Sequence, residues 1–384
     1  MDSPPPNSPP LSPLTLAQRL RGTLLGTAVG DALGLPREGL SPGRARRLFG
    51  ATPRHCLLPG WGMVSDDTEH THFVAEALLA APDSPAAFAR HLAWSLRLWI
   101  LALPAGVGFA TLRATLKLWL GFPPHRSGVF SAGNGPAMRA APMGAYFAGY
   151  GGPDWEARLA AHVAAATRLT HTDPRALIAA RAVAGIAAWT VRAGLAPVAR
   201  PSVEAFLACL RHAGTLAAEW EATQATAEWE GCVREIAAAS RADEAVQSLA
   251  LRFGGAGGVT GYAYHTVPVA AYAWYRHFGD FPATLAAVLD CGGDTDTVGA
   301  IAGALAGTVT GPAGIPTPWI DGIRDWPRTP ALLAAVAGRL AEAAPELTRA
   351  PAVPYWRIGV LPRNLVFLIV VLGHGLRRLF PPYR

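Results

Sequence analysis

Lysine is almost missing from this chain. Lys117 is the only one in 384 residues, so the 33 basic residues, set against 27 acidic ones, are nearly all arginine. No Lys/Arg block with interleaved aromatics occurs, which argues against a stable nucleic-acid complex, while the net charge of +6 leaves anionic small partners open. Cysteine is equally sparse. Cys56, Cys209, Cys232 and Cys291 show no CxxC or Cys/His spacing, which excludes a disulfide framework and a structural zinc. With no signal peptide at its start, the chain is expected in the reducing cytoplasm. Charged residues make up 16% and hydrophobic ones 51%, so a large packed core is expected rather than disorder. Period-two alternation is scarce, which excludes a βαβ array, and no fixed-period repeat is visible.

The chain divides into three parts. Residues 1–14 are Pro/Ser-rich and read as a disordered leader; residues 15–349 read as one compact all-α domain; residues 350–384 form an apolar extension. Within the domain, apolar residues recur at three- and four-residue spacing between Gly/Pro breaks, and the spacing predicts helices at Phe73–Leu79, Ala176–Trp189 and Val298–Val309. In the extension, Leu365–Leu372 is wholly apolar and flanked by Arg363 before it and His374, Arg377 and Arg378 after it. Eight residues are too few to cross a bilayer, which takes roughly 20. Two readings stay open: a final element packed on the body, or an interfacial anchor with weak membrane-surface contact and arginines at the headgroups.

Polar chemistry gathers at the joints between helices. In Ser65-Asp66-Asp67-Thr68, helix capping accounts for one acid, and Asp66 with Glu69 has capping-box spacing, but capping does not explain two adjacent carboxylates. Neighbouring ionised carboxylates repel unless a cation lies between them. The same holds for Asp294 and Asp296, which alternate around Thr295, with Thr297 expected to open the next helix. Two such clusters far apart in sequence point to one shared metal centre. Oxygen donors without a matched Cys or His pair suit Mg²⁺, Mn²⁺ or Ca²⁺. His70 and His72, two apart, cannot face one ion from a helix and read as ordinary helix residues. An EF-hand fails, because Val298 and Leu305 stand where oxygen ligands are needed. A haloacid-dehalogenase-type phosphatase also fails, for want of a downstream lysine and a sheet.

Four ordered blocks between about Ala17 and Trp319 resemble the ADP-ribosylglycohydrolase family: RGTLLGTAVGDALGLPREG, SDDTEHT, SAGNGPAMRAAPMGA, and GYAYHT followed by GGDTDTVGAIAGALAGTVTG and IPTPW. The resemblance implies a compact orthogonal all-α bundle with a dimetal cleft holding two divalent cations, Mg²⁺ or Mn²⁺, and hydrolysis of the glycosidic bond between ADP-ribose and a target group. It further implies that Ser65, Asp66, Asp67, Asp294, Asp296 and Thr297 are the metal ligands and that Glu38 lies beside them. Serine at 65 departs from the family's usual threonine but keeps the hydroxyl. For proton transfer at an oxocarbenium-like transition state, Glu38 is the first candidate, with Asp67 or Asp296 as alternatives. Ser131, Gly133 and Asn134 become expected ligand contacts, with His171 and Tyr262 as further ones and Tyr262 stacking on adenine. The substrate is then an ADP-ribosylated protein, nucleic acid or small molecule handled by a monomer. A catalytically inactive ADP-ribose binder on the same fold is the alternative.

The stretch between Asp83 and Asp154 has no acid although it includes the Ser131–Gly135 block. A guanidinium-linked substrate would favour a carboxylate there, so the absence argues against ADP-ribosyl-arginine and for Ser-linked, nucleic-acid-linked or small O-linked ADP-ribose, unless Glu69 or Asp173 reaches in.

Overall fold

The computed structural model describes residues 14–215 and 222–380. Apart from residue 14, the leader read at residues 1–14 lies outside them. Among the described residues there are nineteen α-helices and no strand, only isolated bridges between loops. Seven helices carry the site and its frame: α1 (Leu16–Gly34), α2 (Asp66–Ala80), α3 (Pro85–Leu101), α4 (Pro174–Arg192), α5 (Ala263–Arg276), α6 (Thr295–Thr310) and α7 (Val360–Arg377). The three helices expected from spacing fall within α2, α4 and α6. Thr15 opens α1 with a reciprocal capping box to Gln18.

The centre of the molecule is the pair α1 and α6, both buried over nearly their whole length. They touch backbone to backbone. Glycines recur every fourth residue on α1, at 22, 26, 30 and 34, and face Gly307, Gly303, Gly299 and Thr295 of α6; a Cβ on Gly30 would lie 1.9 Å from the Gly299 carbonyl oxygen. No side chain fits between them, so the pair is held by close van der Waals contact and by hydroxyl bonds such as Thr23 to Thr308 at 2.8 Å. This contact brings the end of α1, and the turn leading to Glu38, against the start of α6.

One continuous hydrophobic core runs from Leu20 to Leu347, and a small separate cluster joins Phe367 of α7 to Leu35, Leu57 and Met63. The sequence reading of the C-terminal run measured only its unbroken apolar part. The structure sets it in a helical segment, Arg357–Arg377, of 21 residues, long and apolar enough to cross a membrane by length and composition. That segment nonetheless packs on the body by one face, through buried Val360, Arg363, Asn364, Phe367 and His374.

Candidate active site

Every candidate ligand sits at a helix start. Ser65 is the N-cap of α2, its hydroxyl accepting from the Asp67 amide, so Asp66 and Asp67 occupy the first turn. Asp294 is the N-cap of α6, which starts at Thr295, two residues earlier than the sequence suggested; Asp294 itself is not helical, and that bend lets both it and Asp296 face one cavity. Both helix N-termini carry partial positive charge that favours anions there.

The two glycines before Asp294 have a backbone reason. Gly292 and Gly293 both have positive φ, 67° and 77°, and a Cβ on Gly293 would meet the Val259 carbonyl oxygen at 1.9 Å. Gly293 exchanges hydrogen bonds with the Glu38 loop, Gly39 N to Gly293 O and Gly293 N to Leu40 O, both 2.8 Å, and the Asp294 amide donates to Val259 O at 2.7 Å. The glycine pair thus ties the Glu38 loop, the Val259 loop and Asp294 together.

The two acidic halves meet at Asp67. The hydroxyls of Ser65 and Thr297 both donate to its Oδ2, each at 3.2 Å, while its Oδ1 and the Oδ1 of Asp296 are buried with no hydrogen-bond partner. A cavity of about 300 Å³ brings together Glu38, Asp66, Asp294, Asp296 and Thr297 with Ser131, Gly133, Asn134 and His171. Asn134 donates to Asp294 at 2.6 Å and to Thr266 at 3.0 Å, so it braces a carboxylate as well as lining the cavity. Tyr262 does not line it. Its backbone bridges to Gly133 and its ring packs edge-on against His265, 4.9 Å between centroids.

Burial raises the carboxyls of Asp66, Asp67 and Asp296 well above the usual range, and the neighbouring carboxylates raise them further. Glu38, at the rim, is raised by desolvation of its carboxyl and by Asp294, with Arg378 opposing. His171 is pushed down to about 3 by burial and by Arg139, so it is neutral and serves as a hydrogen-bonding group rather than an acid. His70 and His72 are fully buried, held neutral by burial and by nearby arginines, as ordinary interior residues of α2.

Several supporting residues escaped the sequence reading. Asp31, buried in α1, accepts from the Ser65 amide at 2.9 Å and from the Thr68 amide at 3.2 Å, and so fixes the start of α2. Burial lifts it to about 6 despite those donors. Arg139 lies beneath the site and donates to Thr170 at 2.7 Å, whose hydroxyl meets His171 Nδ1 at 2.9 Å. Gly106 and Gly108 of the loop after α3, with Phe109 and Thr111 from the first turn of the helix that follows it, Phe109–Trp119, form one wall of the cavity. Glu69 and Asp173 are spent elsewhere: Glu69 is buried against Arg328 and accepts from Trp99 at 2.7 Å, and Asp173 caps α4 and pairs with Arg175.

Among the described residues no three Asp, Glu, His or Cys side chains converge tightly enough to chelate one ion by themselves. The donors present nevertheless fit a hard divalent cation, being all oxygen, partly hydroxyl, with two orphaned buried carboxylate oxygens among them. This has a measurable signature. In chelator, the folded chain holds protons on these raised carboxyls that the unfolded chain releases, so stability should fall as pH rises from about 4 through and beyond 6. Mn²⁺ at a hundredfold excess over Kd should restore about 2.7 kcal/mol near neutrality. Melting curves across pH with EDTA or Mn²⁺ check this, and a flat metal-free profile would count against the carboxylate crowding.

An all-helical body that gathers carboxylates and hydroxyls at helix starts around one cleft defines a class: helical proteins with an oxygen-donor site. The ADP-ribosylglycohydrolase family profile matches residues 12–350, and the chain belongs to that family. An uncharacterized protein of Archaeoglobus fulgidus is 30% identical over 302 residues, 76% of this chain and 87% of that one. A solved "ADP-ribosylglycohydrolase-related protein complex" matches with a TM-score of 0.60 at 28% identity, covering 86% of this chain and 99% of that one.

Proposed function

We propose that the chain is an active, metal-dependent hydrolase that cleaves the glycosidic bond between ADP-ribose and a target group. The observation that carries this is the meeting of both acidic halves: hydroxyls from Ser65 and Thr297 converge on Asp67 beside a cavity lined by Glu38, Asp66, Asp294 and Asp296. Two divalent cations held by Ser65, Asp66, Asp67, Asp294, Asp296 and Thr297 would supply positive charge that relieves carboxylate repulsion and favours ionisation of ribose hydroxyls and water. Glu38, with its raised carboxyl at the rim, exchanges a proton at its carboxyl oxygen with the leaving group or the attacking water, both of which an oxocarbenium-like transition state requires. Ser131 and Gly133 sit where hydroxyl and backbone groups can hold diphosphate or ribose, and Asn134 keeps Asp294 in place.

The cavity wall from residues 106–138 carries no carboxylate, and the two acids that could have reached it are already paired. This supports Ser-linked, nucleic-acid-linked or small O-linked ADP-ribose over the arginine linkage. The test is ADP-ribose release from arginine-, serine- and nucleic-acid-linked substrates with Mg²⁺, Mn²⁺ or EDTA. Glu38→Gln should lower kcat about 100-fold or more while KM changes little, in line with loss of a proton-transfer group. Full turnover by that variant would sink the assignment, and tight ADP-ribose binding with no release from any substrate would make the chain a reader.

A further inference from the structure

Helix α7 has two faces of different character. Towards the body it buries Arg363, Asn364, Phe367 and His374; away from it, Leu361, Leu365, Leu368, Ile369, Leu372 and Leu376 form one outward stripe at helical spacing, Ile369 being 70% exposed. A soluble helix normally turns charged residues outward. Here the outward stripe is wholly apolar.

The surface does not stop at the helix. Asn364 donates to the Ala102 carbonyl at 2.8 Å, and Ala105 packs against the cluster around Phe367, which sets the end of α3 and the following loop alongside α7. Leu101 and Leu103, each 59% exposed, flank that contact. At the other end of α7, Leu379 and Phe380 are exposed and share a shallow recess with Arg44, Arg47 and Arg378. None of the three segments that make this face contains an acid: there is no Asp or Glu in residues 39–65, 84–153 or 347–384.

We propose that this face docks in the plane of an anionic bilayer, with α7 lying at the headgroup boundary. An apolar stripe bordered by arginine and free of carboxylate complements a surface that is hydrophobic beneath and negative above. A second copy of this chain would bring arginine against arginine at the rim. Crossing the bilayer is a poorer fit, since it would pull Arg363 from its buried pairing with Asp325 and Asn364 from Ala102. Gly106, Gly108 and Phe109 follow directly on the docked loop and line the cavity, so the mouth of the site opens beside the membrane.

Sedimentation of the full chain with vesicles tests this. Vesicles of phosphatidylcholine containing about 30% phosphatidylglycerol should bind at least about tenfold more tightly than phosphatidylcholine alone, and the preference should shrink at high salt. The double variant I369E/L372E, altered only at exposed positions, should keep the wild-type melting temperature and lose binding about tenfold or more. Arg44→Ala with Arg47→Ala should remove most of the anionic preference. A chain that stays in the supernatant with both vesicles, or an I369E/L372E variant that binds as well as wild type, overturns the proposal. So does a stable dimer in solution that the same double substitution dissociates, because the face would then belong to a second copy.

Discussion

Asp67→Asn should abolish turnover and at the same time stabilise the metal-free protein. Asparagine has nearly the same shape as aspartate and can still accept from Ser65 and Thr297, so the packing at the meeting point of the two halves survives. What disappears is a carboxyl that burial and its neighbours Asp31, Asp66 and Asp294 keep from ionising at ordinary cost, so the folded metal-free chain no longer has to hold a proton there. Removing one of several mutually repelling carboxylates relieves the fold, and at neutral pH in EDTA the melting temperature should rise. On the proposed metal reading the same change removes a ligand, so stabilisation by Mn²⁺ should shrink from about 2.7 kcal/mol towards nothing. Turnover should drop by about 10³-fold or more, the scale seen when a charge-stabilising group is lost. The opposite signs are diagnostic. A merely structural Asp67 would give loss of activity together with lower stability in EDTA.

The second large effect concerns the α1–α6 contact. Gly30→Ala adds one methyl group at a point 1.9 Å from the Gly299 carbonyl oxygen, and neither helix can yield without moving the other's backbone. Overpacking of a rigid contact on this scale should cost about 3 kcal/mol or more, lowering Tm by about 4 °C or more or preventing soluble expression. Gly185→Ala is the matched control. Gly185 lies inside α4 with nothing within 4 Å of an added Cβ, so the same substitution should stabilise by about 0.5–1 kcal/mol through the usual helix preference for alanine. If both variants melt alike, the close approach of α1 and α6 is wrong.

These two sites show what the sequence could reveal. Paired acids are legible because electrostatics forbids them without a reason, and so Asp66, Asp67, Asp294 and Asp296 stand out before any fold is known. Asp31 is not legible in this way, since a lone acid between glycine and alanine inside an apolar helix looks like an ordinary surface position. Only the fold lays Ser65 and Thr68 over it. The glycines at every fourth position of α1 carry a readable signal, a strip without side chains, but its meaning depends on a partner nearly 270 residues later with the same strip. The cavity wall around Phe109 had no signal beyond small residues, because loop position relative to a site is set by packing of distant helices. The C-terminal run was readable as apolar; which half of it faces the body was not, since every residue of Leu365–Leu372 is apolar whichever way it points.

The inward face of α7 holds two of the loops that carry the candidate site. Arg363 donates to the carbonyl of Val64, just before Ser65, while Asp325 accepts from the Val64 amide at 2.9 Å. Near the other end, His374 bonds the Pro36 carbonyl at 3.0 Å and Arg378 bonds the Glu38 carbonyl at 2.8 Å. The family match closes at residue 350, yet the two loops that present Asp66 and Glu38 are both gripped from beyond that limit. A chain cut at the family boundary would keep every candidate site residue and lose the brace that holds the loops of Asp66 and Glu38. The bracing of the cleft extends past the family-matched segment.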